Sequence, residues 1–87
     1  MMTFEYTIKD ELGIHARPAG LLVKEAKQFK SQVMISRKGE EKSVDVTRLM
    51  ALMGLAIKCG QTVEVTVEGE DEAAAFEAMQ EFFKANL

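Results

Sequence analysis

The 87 residues carry a net charge of −3, with 47% hydrophobic and 29% charged residues and a single cysteine. This composition is typical of one small globular domain over residues 1–87, which buries about 60–65% of the surface of its unfolded chain. The acidic net charge disfavours general binding to nucleic acid. A single cysteine cannot form an internal disulfide, and no apolar run approaches the roughly 20 residues of a membrane span. We therefore expect a cytoplasmic protein without a signal peptide.

The first half of the chain passes from strand to helix periodicity. Apolar and polar residues alternate over residues 3–8, which predicts a half-buried strand, and a polar loop ending at Gly13 follows. From Ala16 the spacing is helical, with an apolar stripe formed by Ala19, Leu22, Val23, Ala26 and Phe29. Pro18 fits only in the first turn of such a helix, so His15 lies close to the N-cap.

The middle of the chain predicts a hairpin and a second helix. Residues 33–37 and 43–46 are short strand candidates, joined by a hairpin loop at 38–42 that contains glycine. Residues 48–57 form an apolar helix-like segment, and Gly54 and Gly60, which bracket its end, predict a helix that is short or irregular in its last turn.

The last part predicts one strand and one helix. Residues 61–68 alternate between apolar and polar side chains, and acidic residues 70–71 precede a helix, as the helix dipole favours. The stripe of this helix comprises Ala75, Phe76, Met79 and Phe83, with Glu72 at its edge. The order β-α-β-β-α-β-α with half-polar strands predicts an α+β open-faced β-sandwich, a four-stranded antiparallel sheet with three helices on one face.

The stretch GIHARPAG, residues 13–20, holds the only histidine and the only proline. The free N–H groups of a first helical turn favour an anion beside His15, and Arg17 adds charge-assisted hydrogen bonds to the same anion. Phosphoryl transfer depends chiefly on positioning and charge stabilisation. These residues therefore have the parts needed for a phosphohistidine.

Other interpretations of His15 are a structural or solvated histidine, a metal ligand, and a partner of Cys59 in a nucleophilic dyad. A metal site is disfavoured because the chain has one histidine and one distant cysteine, without ligand spacing. The dyad is possible by residue type, but no motif surrounds Cys59, and most such cysteines are small packing residues.

The segment from Gly13 to Ala19 resembles the active-site signature of HPr, the family of histidine-containing phosphocarriers of the bacterial phosphoenolpyruvate-dependent sugar phosphotransferase system. The resemblance extends over the chain in length, element order, the hairpin loop and the segment 49–60. It implies a phosphoryl-group carrier, a transferase-like component rather than a free-standing enzyme, that needs neither metal nor cofactor.

The resemblance also implies roles for individual residues. Enzyme I, in its phosphorylated form, phosphorylates Nδ1 of His15, and the IIA domains of sugar permeases then receive the group. Arg17 is implied in catalysis, and Ala16, Arg17 and Pro18 bind the phosphoryl group. Positions implied in partner contact are Lys24, Lys27, Leu49, Met50 and Met53, and the absence of a side chain at Gly20 is expected to let a partner approach closely. We expect a monomer that neither binds nucleic acid nor inserts into membranes.

The sequence departs from the family pattern at three places. Arg48 occupies the position of a regulatory serine found in many Gram-positive members, which puts serine-linked regulation in doubt, and we do not transfer that role to Ser43 or Thr47. Gly20 replaces a usual alanine or threonine, and the hairpin loop is about two residues longer. Two other function classes stay open, a regulatory module that keeps the carrier fold only for docking, and an unrelated α+β ligand-binding domain.

Overall fold

In the computed structural model, which describes all residues 1–87, four strands and three helices alternate in the predicted order. The elements are β1 (Met2–Thr7), α1 (Ala16–Ala26), β2 (Gln32–Arg37), β3 (Val44–Asp45), α2 (Leu49–Gly54), β4 (Thr62–Glu68) and α3 (Glu72–Asn86). None of the three helices is long and apolar enough to cross a membrane.

The strands form one antiparallel sheet in the order β1-β4-β2-β3. Val65 at the centre of β4 pairs with Phe4 of β1 on one side and with Ile35 of β2 on the other. Because side chains alternate along a strand, this register places the apolar residues on one face and a row of threonine and glutamate residues on the other. The predicted fold class is confirmed.

The core lies between the inner face of the sheet and the helices. Leu22 of α1, Leu52 of α2 and Phe83 of α3 are all fully buried against the valines of the sheet. Phe83 makes edge-to-face contacts with Phe4 and Tyr6 of β1, each with ring centroids 5.6 Å apart. Such pairs stabilise beyond the apolar area they bury, so α3 is firmly fixed over β1.

Two helices end before the apolar pattern of their segments does. The segment 48–57 is helical from Leu49 to Gly54, a short helix as its glycines predict, and Ala56 adopts a left-handed conformation with φ of 51°, which a regular helix cannot contain. The first helix ends at Ala26, because the turns that follow tighten to i→i−3 hydrogen bonds, and Phe29 reaches the core from those turns.

The start of α3 is fixed by a carboxylate. Asp71 is the N-cap residue, yet its side chain bonds away from its own helix: Oδ1 accepts the Ser31 N–H at 2.9 Å, and Oδ2 accepts the Lys30 N–H at 2.9 Å. The Ser31 hydroxyl donates to the same carboxylate. These bonds, led by that of the hydroxyl, lower the pKa of Asp71. The acidic helix start therefore also fastens α3 to the start of β2.

Candidate functional site

The loop between β1 and α1 carries the site and is held by two distant segments. The Asp10 N–H donates to the carbonyl of Leu87 at 2.8 Å, and the Ile14 N–H donates to the carbonyl of Ile57 at 3.0 Å. The loop is thus attached both to the end of α3 and to the segment after α2, and these contacts position the start of α1.

Gly13 makes the second attachment possible. Its φ is +70°, and a Cβ atom at this position would lie 2.3 Å from the carbonyl oxygen of Ile57 and 2.7 Å from the Cα of Lys58. Only glycine accepts both this conformation and this closeness. The first glycine of the GIHARPAG stretch therefore sets the approach of the loop to the segment after α2.

His15 is the N-cap residue of α1, with φ of −101° and ψ of −177°. Its carbonyl accepts the Ala19 N–H at 3.0 Å, while its ring makes no capping hydrogen bond. The N–H groups of Ala16 and Arg17 have no acceptor within the helix, as is usual for a first turn, and Pro18 has no N–H. The predicted position of His15 at the helix start is found.

A shallow cavity of about 360 Å³ lies beside the helix start. Its lining brings together the β1–α1 loop, the first turns of α1 and the end of α3: Asp10, His15, Arg17, Pro18, Leu21, Ala85 and Asn86. The His15 side chain is 34% exposed, so the ring is accessible from this cavity yet partly shielded.

Charges of both signs line this cavity. Arg17 is exposed and has no carboxylate partner in the structure. Asp10 faces the ring, with Oδ1 3.7 Å from Nε2 of His15. Asp10 could not be recognised as a site residue from the sequence. A carboxylate in a polar loop is common, and a spacing of five residues from His15 matches the periodicity of neither a helix nor a strand. The unpaired guanidinium of Arg17 in the same cavity as the imidazole is suited to binding an anion.

Arg17 begins an exposed basic stripe along α1. Gly20, Lys24 and Lys27 follow it at intervals of three and four residues, which places all four on one side of a helix. Lys24 and Lys27 have no acidic partner, and no atom lies within 4 Å of the place where a Cβ of Gly20 would be. The stripe is therefore free on the surface.

Leu49, Met50 and Met53 form an apolar patch on α2. Their exposed fractions are 39%, 83% and 37%, whereas Leu52 of the same helix is buried. The sequence did not reveal whether these methionines were exposed or buried. A large apolar side chain as exposed as Met50 is typical of a contact surface.

Arg48 precedes this patch as the N-cap residue of α2, exposed and without an ion pair. Beside it, the Thr47 hydroxyl donates to Oδ1 of Asp45 at 2.7 Å, and the Thr47 N–H donates to the same atom at 2.9 Å. The Thr47 hydroxyl therefore stabilises the turn into α2, while Ser43 is exposed in the hairpin loop.

The Cys59 dyad is not formed in the structure. Cys59 does not line the cavity, and its Sγ lies 3.8 Å from the carbonyl of Lys9 rather than beside the imidazole. The structure has no group of three or more histidine, cysteine, aspartate or glutamate side chains arranged to hold a metal ion.

Comparison with known proteins gives matches along nearly the whole chain. Residues 2–85 match the family model described as the PTS HPr component phosphorylation site. The phosphocarrier protein HPr of Lysinibacillus sphaericus is 46% identical over 91% of this chain and 88% of its own. The HPr-like protein Crh of Halalkalibacterium halodurans is 39% identical over 97% and 98% of the two chains.

Solved structures agree with these matches. The histidine-containing phosphocarrier of Mycoplasma has a TM-score of 0.87 at 34% identity, covering 93% of this chain and 90% of its own. HPr of Bacillus anthracis has a TM-score of 0.84 at 33% identity, covering 94% and 95%. The chain therefore belongs to HPr, the phosphocarrier family of the sugar phosphotransferase system.

Proposed function

We propose that this protein is a phosphocarrier that accepts a phosphoryl group on His15 from phosphorylated enzyme I and passes it to IIA domains of sugar permeases. The observation that carries the proposal is the accessible imidazole of His15 at the N-cap of α1, beside the unpaired guanidinium of Arg17. The group originates in phosphoenolpyruvate, and the protein acts in the cytoplasm as a monomer.

The transfer step needs no proton movement within this chain. The lone pair of Nδ1 of His15 attacks phosphorus while the bond between phosphorus and the donor breaks, and the donor keeps the electron pair of that bond. The imidazole becomes a phosphoimidazolium that retains its proton on Nε2. Onward transfer is the same step in reverse, with an acceptor nucleophile replacing the donor.

The helix start stabilises the transferred group. The N–H groups of Ala16 and Arg17 and the guanidinium of Arg17 supply donors for the phosphoryl oxygens, in a turn whose dipole favours negative charge. Pro18 fixes the backbone of the first turn, so these donors are oriented before the group arrives. A shallow site with one arginine holds the group without burying it, as a carrier requires.

Two surfaces serve the partners. The apolar patch gives a small adaptable contact, since methionine side chains fit differently shaped surfaces, and the basic stripe gives complementarity to acidic residues on a partner. The relatedness to the multiphosphoryl transfer protein of Vibrio cholerae, which is 36% identical over 98% of this chain and 22% of its own, supports a place in phosphoryl transfer.

The proposal is tested by incubating the protein with phosphoenolpyruvate, magnesium and enzyme I, and then adding a IIA domain. We expect the wild-type protein to gain one phosphoryl group and pass it on, and His15→Ala to gain none while keeping its fold. Acceptance of an acid-labile phosphoryl group by the His15→Ala variant would refute the proposal.

A second candidate function is a regulatory module that docks on other proteins without delivering phosphate to sugar permeases. It is supported by the relationship to Crh, one structure of which is described as that of a catabolite repression protein. Phosphorylation of His15 without delivery to any IIA domain would favour this candidate over the carrier.

A further inference from the structure

We propose that Asp10 is a positioning residue that holds a proton on Nε2 of His15, and so keeps Nδ1 as the nucleophile. The inference deepens the proposed function and rests on it for its consequence in phosphoryl transfer. Its structural basis is the 3.7 Å separation between Oδ1 of Asp10 and Nε2 of His15. Asp10 is the only carboxylate that lines the cavity.

The carboxylate of Asp10 is fixed in place. Its Oδ1 accepts the Leu12 N–H at 2.9 Å, its own carbonyl accepts the Gly13 N–H at 2.9 Å, and its own N–H donates to the Leu87 carbonyl at 2.8 Å. One hydrogen bond thus holds the carboxylate of Asp10, and two hold its backbone, one within the turn and one to the end of α3. The side chain is 30% exposed, so its charge is only partly screened by water.

The two ring nitrogens of His15 therefore face different surroundings. A neutral imidazole carries one N–H, and an ionised carboxylate accepts hydrogen bonds without donating any. At 3.7 Å the carboxylate is too far from Nε2 for a direct hydrogen bond, but its negative charge favours the tautomer with the proton on Nε2, which leaves the lone pair on Nδ1. Nδ1 makes no capping bond to the first turn and is free to attack.

Asp10 also affects the phosphorylated state. The phosphoimidazolium keeps its proton on Nε2, and the positive charge of the ring is then balanced by Asp10. A ring protonated on Nε2 leaves phosphorus as neutral imidazole, which is the better leaving group. The other charged group of the cavity, Arg17, acts on the phosphoryl oxygens, and the residues from α3, Ala85 and Asn86, are uncharged.

The test compares Asp10→Asn with Glu11→Gln. Asparagine can still accept the Leu12 N–H, so the turn is retained while the charge is lost. Glu11 is an exposed neighbouring carboxylate that does not line the cavity, so its variant makes the same change of charge away from the ring. Proton–nitrogen correlation NMR of the unphosphorylated proteins reads the tautomer directly, at a pH where the ring is neutral.

We expect the ratio of the Nε2–H to the Nδ1–H form to fall about threefold or more in Asp10→Asn, the size typical of a partly exposed charge interaction, and to stay unchanged in Glu11→Gln. Hydrolysis of the phosphorylated Asp10→Asn protein at neutral pH should slow by a similar factor. An unchanged tautomer ratio in Asp10→Asn would overturn the inference, even where phosphorylation of His15 is normal. The NMR measurement uses no phosphoryl donor, so it separates failure of this inference from failure of the carrier proposal.

Discussion

The N–H of Ile14 donates to the carbonyl of Ile57 at 3.0 Å, so the residue immediately before His15 is tied to the segment that leaves α2. The same α2 presents the apolar patch. Because this backbone contact joins the His15 segment to the segment that follows α2, His15 and the apolar patch are held in a fixed relation.

Gly13→Ala tests this contact. An alanine would combine left-handed backbone strain with a Cβ 2.3 Å from the Ile57 carbonyl oxygen, and we expect a loss of more than about 3 kcal/mol of unfolding free energy. The matched control is Gly39→Ala, where φ is +87° but the space is open, and the cost should be about 1 kcal/mol. Urea unfolding measures both, and equal losses would show that the contact contributes nothing.

Arg17→Lys tests the phosphoryl contact. A lysine keeps the charge but replaces a planar fork of donors with a point charge, so the rate of phosphate acceptance should fall about tenfold, equivalent to about 1.4 kcal/mol. Arg48→Lys makes the same replacement outside the cavity and should leave acceptance unchanged. Rapid-quench measurement of phosphorylation gives both rates, and a wild-type rate in Arg17→Lys would remove this side chain from the mechanism.

Met50→Ala tests the apolar patch. The side chain is 83% exposed, so its removal should change the unfolding free energy by less than about 0.5 kcal/mol. The concentration needed to half-saturate enzyme I should rise about fivefold, because the lost contact contributes about 1 kcal/mol of binding. Leu52→Ala on the buried side of α2 should instead destabilise the fold by about 2–5 kcal/mol. Unchanged saturation by Met50→Ala would exclude its contact with enzyme I.

Asp71 gives the stability a dependence on acid pH. Hydrogen bonds from the Ser31 hydroxyl and then from the Lys30 N–H lower the pKa of this carboxyl in the folded protein. A lowered folded pKa stabilises the protein above the unfolded value near 3.8, and this stabilisation is lost as pH falls through the folded pKa.

Asp71→Asn should therefore lower stability at neutral pH and flatten its decline in acid, as measured by thermal unfolding at a series of pH values. Part of the loss of stability in acid should persist in this variant. A hydrogen bond from Arg37 lowers the pKa of Glu40, and one from the N-terminus lowers the pKa of Glu72. Glu70→Gln is the control, because that exposed carboxylate makes only an ion pair at 3.6 Å with Lys30. A wild-type pH profile in Asp71→Asn would contradict this account.

The sequence predicts the strands and the helix start well, because local patterns determine them. Phe4 and Tyr6 alternate with polar residues and Pro18 fits only a first helical turn, so both features can be read without knowledge of distant contacts. Gly54 and Gly60 predict a short or irregular end of α2, but the left-handed conformation of Ala56, next to the bond between Ile57 and Ile14, could not be predicted from local patterns.

The missed features of the site have the same origin. Helical spacing alone does not distinguish a buried from an exposed side of α2, so the exposure of Met50 and Met53 could not be predicted. Asp10 faces His15 only because the loop is bonded to the end of α3 through Leu87. The exposed side of α2 and the position of Asp10 both depend on packing between segments that are far apart in sequence.

The most direct measurement is phosphorus NMR, with intact mass, of the protein after incubation with phosphoenolpyruvate, magnesium and enzyme I. We expect one added phosphoryl group with the signal of an Nδ1-phosphohistidine, absent in His15→Ala. An unmodified protein with active enzyme I from several sources, or a phosphoryl group at another residue, would contradict it.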